Sequence, residues 1–297
     1  MQADIDRRSF LTRLPSTVLP AAALLSAGAL PARSARLKTA ICAYSFRLAL
    51  AAGTLRYEDL VDMAVEHDVD GLDLTVYWFP KNDLPGFLTG LRHKAHVNGV
   101  EIPSIAIRSD LCRKSAADQE RESAWLMHWV DVADRLGASF IRIFGGRVPD
   151  GATEPEAAGW VTEILNRTAD YAASKGVILG LENHGGITMR AERILSILDE
   201  VNHPFVRMNL DTGNFNAQPY EQIQMCVPYA ANSQFKAAIR FEDGRHEKSD
   251  WDRIVKMFAD GGYRGYMALE YEEKEDPFVA VPRLLGELNG LRDKYSA

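Results

Sequence analysis

Two rhythms of hydrophobic and polar positions alternate along this chain. Short apolar runs rich in β-branched and aromatic residues recur: TAICAYSF (39–46), GLDLTVYW (71–78), EIPSIAI (101–107) and SFIRIFGG (139–146). They continue as GVILGLEN (176–183), FVRMNLDT (205–212), ANSQFKA (231–237) and GYMALEYE (265–272). Between them lie longer stretches with apolar residues three and four apart, such as YEDLVDMAVEHD, ESAWLMHWVDVADRLG, EAAGWVTEILNRTADYAASKG and AERILSILDEV. The first rhythm predicts strands, the second amphipathic helices. Gly137, Gly176 and Gly262 close helical stretches where a left-handed residue is favoured. Eight strands, each followed by a helix, in about 260 residues match a (β/α)8 TIM barrel. A single barrel domain is therefore expected over residues 36–297. An open doubly wound sheet is the competing α/β arrangement. It wants a glycine-rich phosphate turn after the first strand, and YSFRLALAAG is not one.

The first 35 residues follow neither rhythm. Arg7 and Arg8 precede Ser9, Phe10 and Leu11, an Ala/Leu-rich stretch follows, and small residues stand near Ala29, Ala32 and Ala35. A charged start, a short apolar run and a small-residue exit predict a twin-arginine export signal over residues 1–35. The expectation is export by the twin-arginine machinery to the periplasm, with no membrane span in the mature chain.

Composition narrows the partners. The chain has 297 residues, 46% of them hydrophobic and 25% charged, with a formal net charge of -7. No basic cluster with interleaved aromatics occurs, so nucleic acid is not an expected partner. Cys42, Cys112 and Cys226 are odd in number and far apart, which implies neither a disulfide framework nor a zinc knuckle. Pairing of the barrel with a second copy is compatible with the sequence.

The chemistry gathers at the ends of the strands. In a barrel of this kind the active site is built from the C-terminal strand ends and the loops after them. The fourth strand carries Arg142; the fifth ends in Glu182, Asn183 and His184; the sixth ends in Asp211, followed by Thr212, Gly213 and Asn214. The seventh carries Gln234 and Lys236, and the eighth ends in Glu270 and Glu272. Apolar strands that repeatedly finish in a carboxylate need a positive partner in the mouth. A divalent cation accepts several carboxylates at once.

From residue 38 onward the chain also resembles the xylose isomerase-like barrel family of sugar and sugar-phosphate isomerases and epimerases. The motifs are LENHGG, NLDTGNF, PYAANSQFKA and GYRGYMALEYE. The resemblance implies one divalent metal held by a Glu, an Asp, a His and a Glu on strands five to eight. Carried onto this sequence, the ligands are Glu182, Asp211, Gln234 and Glu270. The third departs from the pattern: the family shows His-x-Lys-Asp where this chain reads QFKA. An alternative alignment places Arg240 there, but the distance from PYA favours Gln234. Four oxygen ligands favour Mn²⁺ or Mg²⁺ over Zn²⁺. Occupation of the site by Lys236 is the competing outcome.

The expected reaction is metal-assisted proton abstraction beside a carbonyl. Glu182, Glu270, His184 and Lys236 are the catalytic candidates. Arg142, Asn183, Asn214, Tyr44 and Glu272 are candidates to bind the substrate, and Trp78 shares the possible stacking wall with Tyr44. Export points to an unphosphorylated sugar, sugar acid or keto-glycoside. Isomerisation or epimerisation leads; β-elimination from a 3-keto-glycoside uses the same first step. A non-catalytic sugar-binding barrel with a decayed metal site is the alternative outside enzymology. A nuclease of the same superfamily is disfavoured, since only His184 stands at a strand end.

Overall fold

The computed structural model describes residues 35–296. Apart from Ala35, the export signal expected over residues 1–35 lies outside the described residues. Eight parallel strands close into a barrel: β1 (Arg36–Cys42), β2 (Gly71–Thr75), β3 (Glu101–Ala106), β4 (Phe140–Phe144), β5 (Ile178–Glu182), β6 (Val206–Asp211), β7 (Ala230–Lys236) and, last in the chain, β10 (Arg264–Glu270). Each pairs with its neighbours in sequence order, and β10 returns to β1 through Arg36↔Arg264 to Ile41↔Leu269. This is the (β/α)8 barrel that the two rhythms predict.

The intervening helices show why the second rhythm works. In the helix at Glu154–Ser174, Thr153 and Glu156 form a capping box: the Thr153 N–H donates to Glu156 Oε2 at 2.8 Å, and the Glu156 N–H donates to Thr153 Oγ1 at 3.4 Å. Its buried face comprises Val161, Ile164, Leu165 and Ala169 among others. Gly137, Gly176 and Gly262 all have positive φ, at 86°, 69° and 68°, as residues closing a helix should.

The barrel strands alternate with period two. In β5, Leu179 and Leu181 are fully buried on the helix-facing side, while Gly180 and Glu182 share the face toward the lumen. Gly180 has no alternative there: a Cβ on it would overlap the Phe140 ring. In β7, Phe235 packs on Trp251 and Phe258, leaving Asn232, Gln234 and Lys236 for the interior.

That interior is polar to an unusual depth. Asn232 donates to Asn209 Oδ1 at 3.0 Å, and Asn209 donates to Gln234 Oε1 at 3.1 Å. Gln234 donates to Asp73 Oδ2 at 3.0 Å, and Ser104 donates to Asp73 Oδ1 at 2.8 Å. All five side chains belong to buried residues, so this chain satisfies groups that would otherwise be costly orphans.

One feature escapes the sequence pattern. After β7 the chain makes a small antiparallel hairpin, β8 (Ala238–Arg240) with β9 (His246–Lys248), before its next helix. Arg240 is exposed on this hairpin and pairs with Glu273 at 3.3 Å.

Candidate active site

The strand ends place two charged clusters in the barrel mouth. The first is built on β4 and β5. Arg142 Nε lies 2.9 Å from Glu182 Oε2, with both side chains nearly inaccessible at 3% and 2% exposure. Arg142 also donates to the Ile107 carbonyl at 3.0 Å and to the Tyr77 hydroxyl at 3.3 Å. The other oxygen, Glu182 Oε1, faces His184 Nδ1 at 3.0 Å and accepts from Asn214 at 3.1 Å.

His184 lies with its ring stacked on Phe144, centroids 4.0 Å apart, and its side chain is half exposed. Burial works against its protonation, but the Glu182 bond and charge outweigh that, and its pKa rises above the ordinary value. The two glycines after His184 bring this loop onto the loop after β4. Ile187 N–H donates to the Gly146 carbonyl at 3.0 Å, and a Cβ on Gly186 would overlap that carbonyl.

The second cluster is built on β6, β7 and β10 around Lys236. Its ammonium lies 2.9 Å from Glu270 Oε2 and 3.6 Å from Asp211 Oδ2, and it also pairs with Glu272. The lysine is held at its backbone: its N–H donates to Thr212 Oγ1 at 3.1 Å and its carbonyl accepts from Trp251 Nε1 at 2.8 Å. Burial pushes the Lys236 ammonium toward its neutral form, yet the three carboxylates win and hold its pKa well above the ordinary value. Burial likewise pushes Glu270 up, and Lys236 and Arg142 more than reverse it. Asp211 goes the other way: burial, with the charges of Glu182 and Glu270, raises it to about 8 despite Lys236.

Three aromatic side chains pack together beside Arg142, whose guanidinium donates to the Tyr77 hydroxyl. Tyr44 stacks on Trp78 at 6.0 Å between centroids, and Tyr77 meets both edge-on. Arg47 lies over the Tyr44 ring and Arg108 over Tyr77.

Of the residues the sequence singles out, Glu182, His184, Asn214 and Arg142 thus share one cluster, and Asp211, Lys236, Glu270 and Glu272 the other. Two are placed differently from expectation. Asn183 does not line the mouth: it is 1% exposed, and its amide exchanges two 2.9 Å bonds with the Asp211 backbone, tying β5 to β6. Gln234 lies in the polar chain beneath the mouth, its amide spent on Asn209 and Asp73. Asp73 and Tyr77 were missed. A polar residue at every second position of an apolar strand, as in Asp73 and Thr75, is the signal that could have found the first.

The donor set also tests the expected divalent ion. Both ends of the Gln234 amide are engaged beneath the mouth, its oxygen accepting from Asn209 and its nitrogen donating to Asp73. Glu182 Oε2 and Asp211 Oδ2 make no hydrogen bond, but each faces a cation, Arg142 and Lys236 respectively. Among the described residues no group of three or more His, Cys, Asp or Glu side chains is arranged to hold a metal ion. The residues do not fit the four-ligand site that the alignment anticipates, because an ammonium stands where a shared cation belongs.

Fold and site define a (β/α)8 barrel with a carboxylate-rich mouth. The family profile described as "Xylose isomerase-like TIM barrel" matches residues 61–288, and the chain belongs to that family. No functionally curated protein sequence matches it. Among solved structures, the D-psicose 3-epimerase of Clostridium cellulolyticum H10, with D-tagatose, is similar at a TM-score of 0.66 and 17% identity. The match covers 87% of this chain and 95% of that one. A xylose isomerase-like TIM barrel protein of Mycobacterium smegmatis in complex with magnesium is similar at 0.67 and 16%, covering 88% and 98%. The probable 3-DHS dehydratase AsbF of Bacillus anthracis is similar at 0.58 and 18%, covering 84% and 96%. At such identities the likeness is one of fold.

Proposed function

We propose that the protein is an isomerase or epimerase of an unphosphorylated sugar, sugar acid or keto-glycoside, working by proton transfer beside a carbonyl. The carrying observation is the pair of buried carboxylates, Glu182 and Glu270, each clamped by its own cation, with His184 bonded to the first at the mouth. Family membership and the epimerase fold support it.

The chemistry uses these residues in order. Glu182 holds His184 through Nδ1 and leaves Nε2 for the substrate. The base takes the hydrogen from the carbon next to the carbonyl; the C–H electron pair becomes the enediolate double bond, and the carbonyl oxygen takes up the negative charge. Return of the proton to the other face of the same carbon epimerises the sugar. Return to the former carbonyl carbon, with a proton passing between the two oxygens, isomerises it. Glu270 is the second proton-transferring group, and Tyr44 and Trp78 offer a face for the sugar ring. The export expected from Arg7 and Arg8 is the reason for choosing substrates without phosphate.

β-Elimination from a 3-keto-glycoside begins with the same proton and is the second reading, favoured by the dehydratase fold. Both are tested by proton NMR in D₂O with free ketoses, sugar acids and 3-keto-glycosides. An active substrate should exchange its carbon-bound hydrogen with solvent, and His184→Gln or Glu270→Gln should slow that about 10²–10⁴-fold. Turnover without any solvent exchange rules out proton abstraction.

A further inference from the structure

We propose that the ammonium of Lys236 is the resident cation of this barrel, standing in for the divalent ion that the family resemblance implies. The inference deepens the reading above, and is tested without substrate.

Four independent observations converge on it. The ammonium pairs with Asp211, Glu270 and Glu272, carboxylates from the ends of β6 and β10 and the loop that follows. Its side chain is 11% exposed, so these contacts are made largely out of water. The stem is accommodated by design of the backbone: a Cβ on Gly213 would overlap Lys236 Cβ and Cγ, so the glycine after Thr212 keeps a slot for it. The other two positions of the expected ligand set are committed elsewhere: Glu182 to Arg142 and His184, and the neutral Gln234 to Asn209 and Asp73.

A divalent ion shared by Asp211 and Glu270 would have to displace the ammonium or lie against it. The family's His-x-Lys-Asp pattern has a lysine here too, but beside an imidazole and a carboxylate; with Gln234 and Ala237 in those places, expelling Lys236 strands a buried cation, and keeping both places like charges together. The ammonium instead remains and supplies the positive field at the carboxylates. A substrate carbonyl oxygen that replaces the partly exposed Glu272 carboxylate takes up its negative charge beside Lys236, whose bond to Glu270 stays in place.

The test is metal binding to the purified full barrel. Wild type is titrated with Mn²⁺, Mg²⁺ and Zn²⁺ by calorimetry, and its melting temperature is compared in EDTA and in millimolar Mn²⁺. The expected result is no binding in the micromolar range and no metal-dependent shift. Lys236→Met leaves the three carboxylates without their cation. It should gain one Mn²⁺ site, read as a melting temperature that rises with Mn²⁺ concentration by mass action. One equivalent of metal on the wild type with a Kd below about 100 μM overturns the proposal, a range set by the affinity of ordinary protein divalent sites. So does a folded Lys236→Met protein that gains no Mn²⁺ affinity. If that variant does not fold, the wild-type titration alone decides. None of these readouts depends on finding the sugar, so the proton-transfer reading can fail while this one stands, and the reverse.

Discussion

Arg142 and Glu182 offer the sharpest test of the site's energetics, because both are buried and they pair directly, with His184 on the other oxygen of Glu182. At 2.9 Å their gross attraction is about 6 kcal/mol at an effective dielectric of about 20. Desolvation of the two ions offsets several kcal/mol each, so the intact pair contributes little net stability. Breaking it is another matter. Arg142→Met leaves Glu182 Oε2 facing no cation, and also strips a donor from the Ile107 carbonyl and the Tyr77 hydroxyl. The expected cost is about 3–5 kcal/mol. For a barrel of this size that lowers the melting temperature by roughly 6–20 °C. Glu182→Gln keeps an acceptor for His184 and Asn214 but leaves Arg142 uncompensated, at a similar cost. The double variant removes both charges and should recover most of one penalty, giving a coupling energy of about 2 kcal/mol or more. Urea unfolding followed by circular dichroism measures all four corners of the cycle. If the two single effects simply add, to within about 0.5 kcal/mol, the pair is not coupled and the buried-ion argument is wrong.

Two further outcomes follow from packing and burial. Gly213→Ala pushes the Lys236 stem from its slot and should cost about 1–3 kcal/mol in urea unfolding; an unchanged midpoint removes the slot from the account. Burial raises the Cys112 and Cys226 thiols to about 12 and Cys42 well above the ordinary value, so all three should resist a thiol reagent at pH 8 and react on unfolding. Rapid native labelling of any of them contradicts the described burial.

The barrel was legible because both of its periodicities are strong: period two fills the strands and the apolar stripe fills the helices. Strand boundaries were read less well at their ends: TAICAYSF and GLDLTVYW run on to Phe46 and Trp78, whereas β1 stops at Cys42 and β2 at Thr75 and short apolar helical turns follow each. The β8–β9 hairpin was missed because three-residue strands in AIRFEDGRHEK carry no apolar periodicity. At the site, composition at the strand ends picked out Arg142, Glu182, His184, Asp211, Lys236 and Glu270. It did not say which of them would neutralise which. Asn183 shows the reason: its type suggests a substrate contact, but alternation turns it off the Glu182 face and onto the neighbouring backbone. Pairing of this kind is decided across strands that are distant in sequence, and no local pattern carries it.

The departure at Gln234 is best understood together with Lys236, two positions on and on the same face of β7. Taken alone, Gln234→His restores the residue type that the family resemblance implies, and a ligand-by-ligand view expects it to bring in Zn²⁺. The structure argues otherwise. An imidazole there inherits a position whose neighbours are Asn209 and Asp73, and Lys236 still lies between Asp211 and Glu270. The single variant should therefore bind Zn²⁺ no better than wild type. Gln234→His combined with Lys236→Met removes the ammonium and adds the nitrogen ligand, and should bind Zn²⁺ more tightly than Lys236→Met alone. Arg240→His, out on the exposed hairpin, should change nothing. Calorimetric titration of wild type and the four variants separates the possibilities. If Gln234→His by itself creates a tight Zn²⁺ site, the ammonium is no obstacle, and the cation that matters in this barrel is a metal after all.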